Sequence, residues 1–324
     1  MKKKNILKIL VILVLVLFAT GCTKQLVDSN KKPITNKVTG QTLTANIICQ
    51  PTDKNTIAAY KKGKVDIEKL PKCEDFKLSD GKYENLWTSF FVKPLAFILI
   101  KIGKLVNSYT FSLIIITIII RLLVFPLSMK MVKQSQVMKE MQPELMKLQK
   151  KYQGKTDQES VMKQNTEMMA LYKKYNVNPA SGCLFSFIQL PLFIAFFEAV
   201  QRTPAIFEEK FLSLQLGTTP NVGIMSSNFY AYLILILLIG GTTYFSMKMT
   251  QVYMDSNPSM KMMPTMMTVM IIITGLFMPS GLGIYWVTSN IFTLFQNLLV
   301  RRSKKAWMNI FILEKQKKKL FKAQ

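Results

Sequence analysis

Long apolar runs separated by Lys-rich stretches dominate the chain beyond about residue 84. Runs of about 20 residues with few charges have the length that an α-helix needs to cross the hydrocarbon core of a bilayer. The pattern therefore predicts an all-α polytopic membrane protein with five transmembrane helices. These predicted spans cover residues 107–127, 182–201, 229–248, 263–279 and 282–300, with boundaries good to several residues.

The segment 128–178, between the first two spans, is polar and rich in helix-forming residues. A turn is expected at Gly154, after which Thr156 and Glu159 form a capping box that begins a second helix. Pro143 is expected to bend the first helix. The segment is therefore predicted to be a helical hairpin outside the membrane.

The first 21 residues have the form of a secretory signal, with a Lys-rich start and a short apolar run. Small residues immediately before Cys22 resemble the lipobox of bacterial lipoproteins, in which that Cys is lipidated. We therefore predict a signal peptide over 1–21 and a lipid anchor at Cys22. The alternative is an uncleaved anchor helix with an incidental Cys.

The segment 22–83 is polar and lacks helix or strand periodicity, so no fold is predicted for it and it is interpreted as a linker or a small, weakly ordered exported region. Cys49 and Cys73 lie there in a compartment that permits a disulfide, but two free thiols would look the same in sequence. In 84–106 aromatic residues alternate with Lys, which favours an amphipathic helix lying at the external membrane interface.

The net charge of +25 is placed unevenly. Lysines cluster in the hairpin and in the basic tail 301–324, whereas the loop 203–228 has little positive charge. The positive-inside rule then places hairpin and tail in the cytoplasm and the loop outside. With five spans, Cys22 is external, as a lipoprotein signal requires. A cationic cytoplasmic face suits membrane lipids or ribosomal RNA as partners, and we predict no DNA partner.

The chain contains no His, which removes the commonest general base and the usual zinc ligand. The predicted spans also contain no paired carboxylates. We therefore predict no enzymatic activity, no catalytic residue, no metal site and no cofactor.

Arg121 interrupts an otherwise apolar run in the first span, and Thr117 precedes it by four residues on the same helix face. A guanidinium in hydrocarbon is costly and usually faces a bundle interior or a watery cavity. The alternative is snorkelling, since Arg121 is about six residues, or roughly 9 Å, from the cytoplasmic end of its span.

The fifth span carries a polar stripe at spacings of four, three and four, beside Ser289. Such a stripe lines a cavity or, alternatively, joins helices by hydrogen bonds. Gln189 is a weaker signal in the second span, and Glu198, near that span's external end, is expected to be exposed to water. The stripe consists of Trp286, Asn290, Thr293 and Asn297.

At these positions the chain resembles the YidC/Oxa/Alb family of membrane insertases, over about residues 105–300. The order of several motifs is more specific than any one of them. The matching residues are Thr117 to Arg121 with Phe125-Pro126-Leu127, Met168 to Lys173, Asn178-Pro179 with Gly182-Cys183, Ile188 to Phe193, Pro279 to Leu282, Tyr285-Trp286 and Ser289-Asn290.

The resemblance implies a hydrophilic groove that is open to cytoplasm and lipid and closed outside. It places Arg121 and Thr117 in this groove, with Tyr285 and Trp286 at the family's aromatic positions; Tyr285 alone could equally belong to an interfacial aromatic belt. The lipobox and five spans are similar to the Gram-positive branch. Expected partners are nascent membrane proteins, the ribosome and the Sec translocon. The full predicted groove is Thr117, Arg121, Gln189, Tyr285, Trp286, Asn290 and Thr293.

The main alternative function is a channel or a secondary transporter, which would also have polar faces inside the membrane. Proton-coupled transport usually needs carboxylates within the spans, and many transporters contain inverted repeats. Neither feature is visible in the sequence. Insertase function is therefore the preferred interpretation.

Overall fold

The computed structural model describes residues 23–177, 181–250 and 258–321. The signal peptide 1–21, Cys22 and the Asn178-Pro179 motif lie outside these residues. Helices predominate. They are α1 (Lys54–Lys62), α2 (Lys93–Leu105), α3 (Tyr109–Leu123), α4 (Phe125–Lys151), α5 (Gln158–Lys174), α6 (Ser181–Arg202), α7 (Pro204–Phe207), α8 (Pro220–Gly223), α9 (Phe229–Thr250), α10 (Pro258–Phe277) and α11 (Ser280–Phe321).

Two short antiparallel strands, β1 (Lys210–Phe211) and β2 (Leu214–Gln215), form a hairpin between α7 and α8. The described residues belong to two compact units. The first contains residues 23–119, Phe187–Gly240 and Met270–Thr288. The second contains the described residues of Ile120–Ser186 and Gly241–Val269 together with 289–321.

Residues 23–83, which were predicted to be exported and are called the exported segment, have their own small core in the first unit, although the sequence predicted no fold for them. Leu26, Ile34, Leu43, Ile47 and Tyr60 are buried against one another. Isolated β-bridges and helix α1 surround this core. The apolar residues are separated by four to thirteen positions, so no helix or strand period reveals them.

A disulfide joins Cys49 to Cys73 across this segment, with the two Cα atoms 4.8 Å apart. Of the two possibilities that the sequence left open, the bonded form is therefore the one present. Closing a loop of 24 residues restricts the unfolded chain and thereby stabilises the folded segment.

Helix α2 occupies most of the segment predicted to lie at the interface, and a π-helical turn over Thr88–Val92 precedes it. One face, including Leu99 and Ile100, is buried in the protein. Phe90 and Ile98 remain exposed. The helix therefore has an apolar face on the protein and a second set of apolar side chains on the outside.

A helix lies at each of the five predicted spans. Among the described residues, Phe229–Met249 is long and apolar enough to cross a membrane by itself. Tyr109–Leu123 and Phe125–Met138 pass this test together but are bent by 69° at their junction, and Pro264–Phe277 is a shorter apolar helix. The region of the predicted span 107–127 therefore contains a break between the two helices.

The break between α3 and α4 has a local cause at Pro126, in the first turn of α4. Proline has no N–H to continue the hydrogen bonding of α3, and its ring would clash with the carbonyl four residues earlier in a continuous helix. The same residue is well suited to begin a helix. The chain therefore ends one helix at Leu123 and begins another at Phe125.

The predicted hairpin of 128–178 is present as α4 and α5, in the second unit. Gly154 lies in the turn with a φ of +80°, a conformation that favours glycine. The capping residue predicted at Thr156 was wrong: Asp157 accepts the hydrogen bond from the Ser160 N–H at 2.8 Å. Pro143 lies inside a continuous α4.

Both hairpin helices end in Lys-Lys-Tyr, and each end binds a glutamate of the other helix. Glu144 accepts hydrogen bonds from Lys174 at 2.8 Å and from the Tyr175 hydroxyl at 2.7 Å. Lys151 and Tyr152 bind Glu167 in the same way, at 2.6 and 2.9 Å.

These contacts lower the pKa of each carboxyl below its usual value, chiefly through the lysine hydrogen bond. They therefore stabilise the hairpin at neutral pH, and that stabilisation is lost as the pH falls through the lowered pKa values.

Candidate functional site

The predicted groove residues divide between the two units. Arg121, Asn290 and Thr293 belong to the second unit. The other four belong to the first; they are Thr117, Gln189, Tyr285 and Trp286.

Arg121 lies in the last turn of α3 and is partly buried. Its guanidinium donates a hydrogen bond to the hydroxyl of Ser289 on α11, which is itself buried. A guanidinium attracts anionic groups strongly where the local dielectric constant is low.

The polar stripe of α11 continues toward the C-terminus of the helix, beyond Ser289. Thr293 donates to the Ser289 carbonyl at 3.0 Å, which is bonding within one helix. Asn290 donates to Thr243 of α9 at 2.8 Å, and buried Gln296 donates to Ser128 of α4 at 2.6 Å. These two amides join helices, Asn290 from within the stripe and Gln296 from beside it.

Thr117, in the first unit, is buried and donates its hydroxyl proton to the Leu113 carbonyl one turn earlier in α3, at 2.6 Å. Helical threonines commonly satisfy their hydroxyl in this manner. Its oxygen retains capacity to accept a hydrogen bond. Thr117 is thus a buried acceptor on an apolar helix.

Gln189 and Tyr285, also in the first unit, form a direct pair: the amide donates to the phenolic oxygen at 2.8 Å. Tyr285 is buried, with its ring centroid 4.5 Å from that of Phe196. Trp286 packs edge-on against Phe193 at 5.4 Å. Because its ring is buried in the protein, Tyr285 does not belong to an interfacial aromatic belt, the other role that its sequence position allowed.

Glu198 was expected to be exposed to water and is instead 2% exposed. It accepts a hydrogen bond from the Trp87 indole at 3.1 Å and lies 3.9 Å from Arg202 one turn later in α6. Arg202 is 1% exposed, pairs with Glu84 and donates to the Asn46 carbonyl at 2.7 Å. The sequence does not reveal this charged cluster, because Glu84 is 118 positions from Arg202 in the chain.

Glu209, from the loop after α7, lies at the N-terminus of α3. It accepts hydrogen bonds from the Tyr109 N–H and from the Ser108 hydroxyl, the latter at 2.8 Å. A carboxylate at this end satisfies free backbone donors and interacts favourably with the helix dipole. Glu209 therefore fixes the start of α3.

Long apolar helices with polar side chains bonded among them are typical of helical membrane proteins. The family described as 60Kd inner membrane protein matches residues 101–307. The chain therefore belongs to this family, whose curated relatives are the YidC membrane protein insertases of Gram-positive bacteria.

The "Membrane protein insertase YidC" of Oceanobacillus iheyensis is 37% identical over 68% of this chain and 85% of its own length. That of Alkalihalophilus pseudofirmus is 41% identical over 66% of this chain and 81% of its own length. "Membrane protein insertase MisCA" of Bacillus subtilis is 36% identical over 67% and 80%.

A crystal structure of an active YidC insertase with its first transmembrane domain resolved is similar in fold, with a TM-score of 0.51 and 22% identity. The match covers 76% of this chain and 52% of that chain. At this identity the comparison supports the helical fold alone.

Proposed function

We propose that this chain inserts integral membrane proteins into the bilayer and helps them fold, alone or with the Sec translocon. Arg121 carries the proposal, because it is a partly buried cation on an apolar helix. A charge in such a place is costly and is usually functional. The names of the relatives support the same function.

In the proposed mechanism, Arg121 attracts the acidic or polar part of an incoming client that must reach the external side. A hydrated groove around it lowers the cost of removing that part from water. The client's apolar segment then moves sideways into lipid, where its burial is favourable. Nothing in this mechanism requires a nucleotide. The other predicted groove residues remain part of this proposal; they are Thr117, Gln189, Tyr285, Trp286, Asn290 and Thr293.

The proposed topology has five spans, with the hairpin and tail in the cytoplasm and α2 at the external interface. The exposed Phe90 and Ile98 support the interfacial position of this region, since apolar side chains at a membrane surface gain by entering lipid.

Photo-crosslinking to ribosome-bound nascent chains tests the groove. A crosslinker at Thr293, on the polar stripe of α11, is expected to capture an arrested client. Ile291 on the same helix is 53% exposed and provides a matched control position. Equal capture at the two positions, or none at Thr293, would contradict a groove on this face.

Cys22 is expected to carry a diacylglyceryl group, because an apolar run and Ala19-Thr20-Gly21 precede it. Mass spectrometry of the mature N-terminus should show a lipid-modified peptide that begins at Cys22. A Cys22→Ser variant should lack this lipid. An intact Met1 in the mature protein would show that the lipobox interpretation is incorrect.

The basic tail is expected to bind ribosomes electrostatically, together with the hairpin. Removing residues 301–324 should reduce co-sedimentation with ribosomes, and added salt should reduce binding by the intact chain, because counterions are released when cations bind RNA. Replacing the Lys residues of 315–319 by Arg retains charge and is the control. If the truncated protein binds ribosomes as well as the intact chain, the tail's charge instead serves the anionic leaflet.

A further inference from the structure

The turn between β1 and β2 presents Leu212 to the outside in an unfavourable conformation. Leu212 has a φ of +54° and is 89% exposed. Two-residue hairpin turns usually place Gly, Asn or Asp where φ is positive. A leucine here accepts backbone strain without burying its side chain in the protein. This combination points to a surface that the leucine itself contacts.

The turn between β1 and β2 contacts the first turns of two helices, α3 and α9. The Phe211 ring packs edge-on against Phe111, in the first turn of α3, with centroids 5.5 Å apart. Ser213 hydrogen-bonds the Tyr230 hydroxyl at 3.1 Å, in the first turn of α9. Both helices begin predicted spans at their external ends. The turn therefore lies at the height of the bilayer surface.

The surroundings of the turn suit lipid. On α9 the exposed apolar side chains begin at Phe229 and continue along the helix through Ile234 and Leu237. Leu212 is joined to the start of this surface through the contact between Ser213 and Tyr230.

The charged residues of this loop also favour contact with lipid. Glu208 accepts a hydrogen bond from the Thr52 hydroxyl at 2.7 Å, and Glu209 caps α3. Both carboxylates are therefore bound by groups of the protein. Lys210 is exposed beside the turn. A cation next to an apolar tip complements the anionic headgroups of a lipid surface.

We propose that the β1–β2 turn is a lipid contact: Leu212 enters the outer leaflet at the boundary of headgroups and acyl chains, and Lys210 binds an anionic headgroup. This contact goes beyond the insertion of clients. It ties the external loop that carries Glu209, and through Glu209 the start of α3, to the membrane surface.

The test uses the full chain in nanodiscs of phosphatidylcholine and phosphatidylglycerol. A Leu212→Cys variant carries an environment-sensitive fluorophore, and lipids carry spin labels at defined depths. Val38→Cys is the matched control, because Val38 is an apolar side chain in the exported segment that is 62% exposed. Labelling of the native cysteines is subtracted with protein that has no introduced Cys.

The probe at Leu212 should emit at shorter wavelength than the probe at Val38 and be quenched most by shallow spin labels. Lys210→Glu should reduce this quenching when phosphatidylglycerol is present and leave it unchanged in phosphatidylcholine alone. Water-like emission without quenching at Leu212 would overturn the proposal. Blue-shifted emission that no spin-labelled lipid quenches would also overturn it, by showing that protein covers the turn.

Discussion

Arg202→Ala is expected to lower the free energy of unfolding of the first unit by about 3–5 kcal/mol, the usual cost of removing one partner from a buried ion pair. Arg202 is 1% exposed and binds Glu84 and the Asn46 carbonyl of the exported segment. Its loss leaves Glu84 and Glu198 without this cation. Thermal unfolding in detergent and limited proteolysis of residues 23–83 measure the effect.

Two control variants distinguish the cost of leaving buried charges unpaired from a general loss of structure. Lys69→Ala breaks an ion pair with Asp66 in which the lysine is 84% exposed, and it should change stability little. A triple variant, Arg202→Met with Glu84→Gln and Glu198→Gln, removes the opposing charges together and should recover much of the stability. If Arg202→Ala behaved like Lys69→Ala, the buried cluster would not hold the exported segment in place.

Arg121→Ala is expected to slow insertion of clients with acidic translocated tails by about tenfold to a hundredfold. This range corresponds to one charge-assisted hydrogen bond, of about 1.5–3 kcal/mol. Arg121→Lys keeps the charge and should retain substantial insertion. The measurement compares two single-span clients, one with an acidic and one with a neutral tail, at equal expression of each variant.

A snorkelling Arg121 predicts a different result. In that case Arg121→Ala would change stability or topology slightly, without dependence on client charge. Ser289→Ala is a useful companion variant because it removes the hydroxyl partner and retains the cation. An equal loss for both clients would indicate structural damage rather than attraction.

The sequence predicted the positions of the helices well because apolar runs of span length are local signals. Arg121 and the stripe on α11 were noticeable in the sequence because one charge, or a regular polar spacing, is conspicuous in an apolar run. The break at Val124 was missed, although Pro126 was a visible cause. Two helices occupy the segment of the predicted hairpin, and the cap of the second was placed one residue too early.

The features that the sequence did not reveal depend on contacts between distant residues. Arg202 and Glu84 are 118 positions apart, and Glu209 is 101 positions from Ser108. The exported core has no period because its apolar residues come from loops. Asn290 and Gln296 also bind side chains on other helices. Their partners, Thr243 and Ser128, are distant in the sequence, so these contacts become visible only in the structure.

The most direct test of the proposed function is insertion by the purified protein in liposomes that contain no other protein. A single-span client with an acidic tail is supplied without nucleotide, and protease protection of the tail reports its crossing. The account predicts protected tails with the unaltered chain, strongly reduced protection with Arg121→Ala, and no flux of small solutes. Solute flux without tail protection would contradict it and would indicate a channel or transporter instead.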